Sequence, residues 1–249
     1  MTKTILITGA TDGLGRALAS ELADDGANVL VHGRREGSPY RADLASLDEV
    51  RQLASQVERE NDSLDVLVNN AGVGTAGERA ESRDGYELRF AVNYLAGFLL
   101  TRELLPMLQH TAPARVVNVA SAGQMPIDFD DVMLERSYSG VQAYCQSKLA
   151  QVMFTFDLAP KLWDRGVTVN ALHPATFMPT KMVLETGTSP ASSLEEGVEA
   201  VRRLAVGDDV DGMTGKYFNG LREARADPQA YDAGARRRLR ELSERLVDH

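Results

Sequence analysis

Short, continuous runs of apolar residues alternate along the chain with longer segments in which apolar residues recur at helical spacing. The continuous runs predict strands at Thr4–Thr8, Asn28–Val31, Leu64–Asn69, Arg115–Ala120, Val167–Leu172 and Lys216–Phe218. An apolar run without polar alternation is typical of a strand that is buried on both faces. The pattern therefore indicates a mostly parallel sheet covered by helices on both sides.

The segments between these strands have helical periodicity. They predict helices over Leu14–Asp25, Leu47–Arg59, Gly85–Leu108, Val141–Trp163, Leu194–Ala205 and Asp232–Leu246. Alternation of strands and helices predicts an α/β fold, a doubly wound, mostly parallel sheet of the Rossmann type with about seven strands flanked by helices. Because no linker or repeat interrupts the pattern, we expect a single domain over residues 1–249.

Composition and charge narrow the possible partners. The net charge of −9 argues against nucleic acid, because phosphate binding requires a basic face. Cys145 is the single cysteine and the four histidines are scattered, so we expect no disulfide and no metal site. No signal peptide or membrane-length apolar run is present, and we expect no membrane anchor and a cytoplasmic location.

Three glycines, Gly9, Gly13 and Gly15, lie between the first predicted strand and the first predicted helix. Glycines allow a backbone to approach a pyrophosphate closely, and the first N–H groups of the helix would face the anion. The spacing GxxxGxG differs from the usual GxGxxG fingerprint. A plain tight connection remains an alternative at this point.

Tyr144 and Lys148 are four residues apart in a predicted helix and therefore share one face. A neighbouring ammonium favours the phenolate and would lower the pKa of the tyrosine toward a range useful for proton transfer. A chance pair on a solvated helix face is the alternative reading.

Further motifs occur in a fixed order around these two. Asn69-Asn70-Ala71-Gly72 follows a strand, Asn93 lies in the next long helix, Ser121 ends the strand VVNVAS, and Asn170 and Pro174 lie in VTVNALHPA. Together with the glycine turn and Tyr144-x-x-x-Lys148, these segments resemble the short-chain dehydrogenase/reductase superfamily. Tyr144–Ala150, His173-Pro174 and Gly215–Phe218 resemble most closely its branch of retinol dehydrogenase-like and protochlorophyllide reductase-like proteins.

The resemblance implies an NAD(P)-dependent oxidoreductase that interconverts a carbonyl and an alcohol on an apolar small molecule. Tyr144 would donate or accept the proton, Lys148 would lower its pKa, Ser121 would bind the substrate oxygen, and Asn93 would hold a water in a proton relay. Reduction of a C=C bond and a non-catalytic dinucleotide sensor remain alternatives. The implied cofactor-binding residues are Gly9, Thr11, Asp12, Gly13, Leu14, Gly15, Arg34, Asp43, Leu44, Asn70, Ala71, Gly72, Tyr144, Lys148, Pro174 and Thr176.

The end of the second strand bears on cofactor choice. Val31-His32-Gly33-Arg34-Arg35 contains no acid to bind an adenosine ribose 2′-hydroxyl, and Arg34 is placed to bind a 2′-phosphate. We therefore expect NADP(H), with NAD(H) possible because Asp12 and Glu36 are close. Only about ten residues separate this strand from Asp43, so the helical crossover that many relatives have there is missing or vestigial.

Two segments are candidates for substrate contacts. The loop Thr176–Ser193 is apolar and weakly patterned, and Gly123–Val141 is longer than in simple members of the superfamily. We expect Gly123–Val141 to form a flap whose residues Met125, Ile127, Phe129, Val132, Met133 and Leu134 cover the substrate, a surface elaboration being the alternative. Many relatives pair through their two long helices, so a homodimer or homotetramer is possible and a monomer is not excluded.

Overall fold

An eight-stranded sheet runs through the computed structural model, which describes residues 2–185 and 187–248. The strand order is β3-β2-β1-β4-β5-β6-β7-β8, and all neighbours are parallel except β7 and β8. The strands are β1 Thr4–Ile7, β2 Asn28–Gly33, β3 Tyr40–Arg41, β4 Val66–Asn69, β5 Ala114–Val119, β6 Val167–His173, β7 Tyr217–Asn219 and β8 Arg222–Glu223.

Helices connect the strands and lie on both faces of the sheet. They are α1 Gly13–Asp24, α2 Leu47–Glu60, α3 Ala96–Thr111, α4 Gly140–Leu162, α5 Lys181–Leu184, α6 Leu194–Val206 and α7 Ala233–Val247. A π-helical segment, Phe90–Leu95, precedes α3, and short 3₁₀ turns cover Trp163–Arg165, Asp208–Val210 and Pro228–Tyr231. Side chains of Asp12, Ser46, Ser139, Ser193 and Asp232 cap α1, α2, α4, α6 and α7.

Two apolar cores confirm the doubly wound arrangement. One face of the sheet packs on α1 and α6, through residues such as Leu18 and Val201. The other face packs on α2, α3, α4 and α7, through residues such as Leu53, Leu100 and Leu149. The strands between them are almost fully buried, which accounts for their continuous apolar sequences.

The structure agrees with the predicted fold class and corrects one expectation about an element. The sheet has eight strands, close to the seven or so expected, and the two-residue strands β3 and β8 are too short to leave an apolar run. The helix expected over Gly85–Leu108 begins only at Leu88. Gly85 has a φ of +80°, and the Glu87 carboxylate accepts a hydrogen bond from the Phe90 N–H (2.7 Å), which places the start of the helix there. As expected, no helix lies between β2 and β3.

The order of the strands reverses between β1 and β4. The chain winds from β1 toward β2 and β3 on one side and from β4 toward β5, β6 and β7 on the other. Ligands of doubly wound sheets bind at the carboxyl ends of the strands beside such a reversal. Because these strands are parallel, the segments after β1, β2, β4, β5 and β6 reach the same edge.

Candidate active site

The glycine turn follows β1 at this edge and is packed tightly against the loop after β4. Gly9 has a φ of +66°, and a Cβ there would lie 2.9 Å from the Cα of Ala71. A Cβ on Gly15 would lie 2.3 Å from the carbonyl oxygen of Gly9. The turn therefore tolerates no side chain at either position, and it brings the backbone close to any ligand at the start of α1.

The first turn of α1 presents backbone donors. Asp12 is the N-cap, and its Oδ1 accepts from the N–H of Gly13 (2.8 Å). The N–H groups of Leu14 and Gly15 follow, and donors in the first turn of a helix have no acceptor within the helix. Together with the helix dipole they suit an anion such as pyrophosphate. Thr11 lies beside β2, with its Cγ2 2.4 Å from where a Cβ of Gly33 would be.

The segment after β4 supports the turn with its polar groups. Asn70 Nδ2 donates to the carbonyl oxygen of Thr8 (2.8 Å), and the Ala71 N–H donates to Thr8 Oγ1 (3.0 Å). The Asn70 side chain is therefore occupied within the protein. Its backbone and those of Ala71 and Gly72 form the wall of the cleft.

The residues expected near the adenosine ribose differ in their freedom to bind a ligand. Arg34 is exposed, and among the described residues its guanidinium has no hydrogen-bond or ion-pair partner. Asp43 is engaged in its own loop, because its Oδ1 accepts from the Ala45 N–H (3.1 Å) and its Oδ2 lies 3.7 Å from Arg83. Leu44 is buried. Among the described residues, Arg34 and the adjacent Arg35 are thus both exposed charges without a partner at the end of β2.

Ser121, Tyr144 and Lys148 come together at the carboxyl end of β5. Ser121 follows the strand, and α4 presents Tyr144 and Lys148 on one face one turn apart. The Tyr144 hydroxyl lies close enough to the Ser121 side chain for the serine to lower the pKa of the phenol. Lys148 Nζ lies 5.7 Å from the centre of the Tyr144 ring and donates to the Val119 carbonyl oxygen (2.8 Å) and to Gln151 Oε1 (2.9 Å).

The pKa values in this cluster follow burial. Burial lowers the pKa of Lys148 to about 7. Burial also raises the pKa of Tyr144, against a smaller lowering by the hydrogen bond with Ser121. In this structure the Lys148 ammonium is directed at Val119 and Gln151, and the lowering of the Tyr144 pKa by Lys148 stays a prediction.

Asn93 lies in the π-helical segment and joins two parts of the site. Its Nδ2 donates to the Val73 carbonyl oxygen (3.1 Å) and to Ser147 Oγ (2.9 Å), and its Oδ1 accepts from the Val73 N–H (2.6 Å). A Cβ on Gly72 would lie 3.3 Å from Asn93 Oδ1 and 3.7 Å from Lys148 Nζ. The Asn93 side chain thus holds the loop after β4 against α4, and the relay water stays a prediction.

Ser121 is held by groups that the sequence did not single out. The Gly123 N–H donates to Ser121 Oγ (3.0 Å), and the Tyr217 hydroxyl donates to the Ser121 carbonyl oxygen (2.9 Å). Ser147 and Gln151 were also missed. Polar residues on the buried face of α4 were a signal that could have indicated them, since buried polar groups require partners.

The loop after β6 closes the other side of the cleft. Pro174 is buried, and Thr176 Oγ1 lies 3.0 Å from His173 Nε2. Further along, Thr180 contacts the glycine turn, since its Cγ2 lies 3.3 Å from where a Cβ of Gly13 would be. Met182 packs on Gly74 in the same way. This loop includes α5, and Thr186 lies outside the described residues.

The segment Gly123–Val141 does not present its apolar residues to the cleft as expected. Ile127, Val132 and Leu134 are buried within the protein, and Ile127 exchanges backbone hydrogen bonds with the Gln229 side chain. Of the six apolar residues expected to cover the substrate, Met125 is the one whose side chain is exposed (41%). The expectation of a substrate flap is therefore wrong for the buried residues, because they complete the core beside α4.

The described part of the chain shows neither a cluster of metal ligands nor a membrane-spanning helix. Residues 2–185 and 187–248 contain no group of three or more His, Cys, Asp or Glu side chains suited to a metal ion. Within the same residues, every helix is too short or too polar to traverse a lipid bilayer.

Comparisons with known proteins identify similar chains and folds. The model of the short chain dehydrogenase family matches residues 3–190. Retinol dehydrogenase 13 of Mus musculus is 37% identical over 281 aligned positions, which cover 98% of this chain and 84% of that protein. Retinol dehydrogenase 12 of Homo sapiens is 34% identical, with 98% and 86% covered.

Solved structures agree with this similarity. A crystal structure of a putative uncharacterized protein from Mycobacterium paratuberculosis has a TM-score of 0.82 and 28% identity, covering 99% of this chain and 93% of that one. The 3-alpha-hydroxysteroid dehydrogenase from Pseudomonas sp. B-0831, complexed with NADH, has a TM-score of 0.75 and 25% identity, with 87% and 94% covered. A putative gluconate 5-dehydrogenase from Beutenbergia cavernae, with bound NADP, has a TM-score of 0.69 and 27% identity, with 87% and 94% covered.

Proposed function

This chain belongs to the short-chain dehydrogenase family and is an NAD(P)-dependent oxidoreductase, and we propose that it uses NADP(H) to interconvert a carbonyl and an alcohol on an apolar small molecule. The observation that carries the proposal is the meeting of Tyr144, Ser121 and Lys148 at the same sheet edge as the glycine turn. A bound nicotinamide cofactor would supply or accept the hydride.

The chain's own residues handle the substrate oxygen and its proton. The Tyr144 hydroxyl donates a proton to the carbonyl oxygen during reduction and accepts one from the alcohol during oxidation. Ser121, whose side chain lies beside the Tyr144 hydroxyl, binds the same oxygen and stabilises its developing charge. Lys148 lies one turn along α4, with its Nζ 5.7 Å from the centre of the Tyr144 ring, and we expect it to act on the phenol once cofactor and substrate are bound. Asn93 fixes the loop after β4 against α4 and so holds these two parts of the site in position.

The residues at the edge suit a dinucleotide. The Leu14 and Gly15 N–H groups at the start of α1 would hold the pyrophosphate. Glycine at positions 9 and 15 permits the tight turn that brings these groups to the ligand, because a side chain at either position would clash with the turn. Thr11, Asp12 and Gly13 complete this turn. Leu44, Ala71 and Gly72 would line the adenosine side, while Pro174 and Thr176 would meet the nicotinamide side.

The preference for NADP(H) over NAD(H) rests on Arg34. Its guanidinium is exposed and unpaired among the described residues, and its planar fork fits a phosphate. We expect Arg34→Ala to weaken NADPH binding by about tenfold to a hundredfold, because a charge-assisted hydrogen bond contributes about 1.5–3 kcal/mol. NADH binding should change little.

The matched control for this measurement is Arg35→Ala, which removes an exposed arginine from the next position. Dissociation constants for NADPH and NADH would be measured by calorimetry on wild type and both variants. Equal affinity of wild type for the two cofactors would contradict the preference, as would an Arg34→Ala variant whose preference equals that of wild type.

An apolar substrate is supported by exposed apolar side chains on the segments that follow β5 and β6 and by the names of the relatives. Met125, Phe177 and Leu184 are exposed on the segments after β5 and β6, and the similar proteins are named retinol dehydrogenases. A panel of aldehydes with increasing apolar length, including retinal, tests this. We expect kcat/KM to rise with apolar length, and a preference for short polar carbonyls would contradict it.

Location and partners complete the proposal. A single cysteine is typical of a reducing compartment, which supports a cytoplasmic location. The net charge of −9 supports a small-molecule enzyme without a nucleic-acid partner. We also propose that the chain is a monomer, because α7 packs on α4, one of the two long helices through which many relatives pair.

A further inference from the structure

His32 lies buried at the carboxyl end of β2, between the glycine turn and the loop that carries Asp43 and Leu44. Its Nδ1 lies 3.0 Å from the backbone nitrogen of Gly9, and its Nε2 lies 3.1 Å from the carbonyl oxygen of Ala42. We propose that neutral His32 is a positioning residue that locks the glycine turn in its cofactor-binding shape, so that its protonation weakens dinucleotide binding. This inference rests on the proposed function.

The two contacts determine the protonation state of the ring. A backbone N–H can only donate, so Nδ1 must be the acceptor for Gly9. A carbonyl oxygen can only accept, so Nε2 must carry the hydrogen that is donated to Ala42. The neutral Nε2–H tautomer is the one form of the imidazole that satisfies both groups at once.

The turn depends on this acceptor because the Gly9 N–H points at His32. The backbone of His32 adds a second link, since its carbonyl oxygen accepts from the Ala10 N–H (2.8 Å). The turn also needs the positive φ of Gly9 and has no room for adjustment against Ala71. Loss of the Nδ1 acceptor would leave a donor without a partner inside the turn that receives the pyrophosphate.

Protonation of the ring would place a hydrogen on Nδ1 directly opposite the Gly9 N–H. Burial lowers the pKa of His32 below 6.5, while the hydrogen bond to Ala42 and the charge of Asp43 oppose that shift more weakly. Among the described residues, Asp43 is the charged side chain that acts on the ring. The ring is therefore neutral at pH 7, and cofactor affinity should fall only as the pH drops below about 6.5.

The direction in which cofactor affinity changes with pH distinguishes a displaced glycine turn from simple attraction between the protonated ring and the phosphates. A protonated imidazole would also attract the cofactor's phosphates, and that attraction alone would make binding tighter in acid. Our proposal requires the opposite result, because two donors facing each other would displace the glycine turn.

Two substitutions separate the two hydrogen bonds of His32. His32→Asn keeps an amide oxygen near the position of Nδ1 and so keeps an acceptor for Gly9, but it cannot titrate. His32→Gln places its amide near the position of Nε2, which keeps the donor to Ala42 and removes the acceptor for Gly9. Circular dichroism and the thermal midpoint would establish that each variant is folded.

Calorimetric titration of NADP⁺ between pH 5.5 and 8 is the test. The cofactor's 2′-phosphate titrates in the same range, but it does so equally for every variant. We expect wild type to lose affinity relative to His32→Asn on going from pH 7.5 to 5.5, toward a limit of about fivefold for a fully protonated ring, since one lost hydrogen bond is worth about 1 kcal/mol. His32→Gln should bind about fivefold more weakly at every pH.

Parallel curves for wild type and His32→Asn would overturn the inference while leaving the proposed function standing. Wild type that binds neither NADP⁺ nor NAD⁺ would overturn both. If the variants fail to fold, nitrogen NMR of the wild-type ring decides the matter. The Nε2–H tautomer is expected at pH 7, and the Nδ1–H tautomer or a ring already protonated at pH 7 would contradict the proposal.

Discussion

Several polar residues in the site lower the stability of the protein because they are buried. Lys148 was recognisable from its spacing to Tyr144, but its two partners, the Val119 carbonyl and Gln151, became visible only in the structure. Together with Asn93, Ser147 and Ser121 they form a polar cluster inside an apolar layer. Such a cluster is expected at a functional site and is expensive in stability.

Lys148 should destabilise the protein at neutral pH. Its pKa falls from 10.5 in the unfolded chain to about 7 in the folded one, so stability present above pH 10.5 is lost as the pH falls toward 7. We expect Lys148→Met to raise the free energy of unfolding by about 2 kcal/mol at pH 7, after the loss of its two hydrogen bonds, and to give no gain at pH 9.5. Urea unfolding at both pH values measures this, and an equal difference at the two values would contradict it.

At the scale of elements, the segment between Gly123 and Val141 behaves as part of the core. Ile127 is 3% exposed, whereas Met125 is 41% exposed two residues away. We expect Ile127→Ala to lower the free energy of unfolding by about 2–4 kcal/mol, as large-to-small changes in a core do.

Met125→Ala is the matched control for that change. It should alter stability by less than about 0.5 kcal/mol, because an exposed side chain contributes little to packing, and it should raise KM for an apolar aldehyde, because Met125 is one of the exposed apolar residues proposed to contact substrate. Urea unfolding and steady-state kinetics on the two variants measure both effects. A stable Ile127→Ala variant with a raised KM would return this segment to the role of a substrate flap.

Elements with strong local patterns were predictable from the sequence, and those that depend on distant contacts were not. The apolar runs of β1, β4, β5 and β6 and the periodicity of α2 and α4 indicated their type and place. β3 and β8 exist only because a neighbouring strand pairs with them. The late start of the helix before α3 depends on Glu87, which is fully buried beside Arg89, and nothing local in the sequence shows such a pair.

The same division applies to the site. Tyr144, Lys148, Ser121, Asn93 and the glycine turn have fixed spacings that sequence reasoning could use. The amide of Asn70 is directed to Thr8 and Gly9, a contact that the sequence did not indicate, and its part in cofactor binding stays a prediction. Contacts across the sheet edge, such as that between His32 and Gly9, join residues 23 positions apart and leave no periodic signal.

At the scale of the whole molecule, α7 determines which surface is available for pairing with a second copy of the chain. It packs on α4, the Tyr94 hydroxyl lies 2.7 Å from Ser243 Oγ, and the Tyr86 hydroxyl donates to the Leu246 carbonyl oxygen (2.9 Å). These contacts cover part of the face of α4 and of the π-helical segment before α3. We therefore expect a monomer of about 27 kDa in light scattering coupled to size-exclusion chromatography. A mass twice as large at micromolar concentration would contradict this.

The proposed reaction depends on Tyr144 as the group that transfers the proton. Tyr144→Phe keeps the aromatic ring and removes the hydroxyl that lies beside Ser121. Tyr231→Phe is the matched control, because Tyr231 lies on the surface at the 3₁₀ turn Pro228–Tyr231.

The most direct test is the rate of NADPH oxidation with an apolar aldehyde, measured together with the dissociation constant for NADPH. We expect Tyr144→Phe to lower kcat by about a hundredfold to ten-thousandfold, which is the usual loss when a general acid is removed. NADPH affinity should be unchanged, and Tyr231→Phe should behave as wild type. A Tyr144→Phe variant that turns over at nearly the wild-type rate would contradict the account.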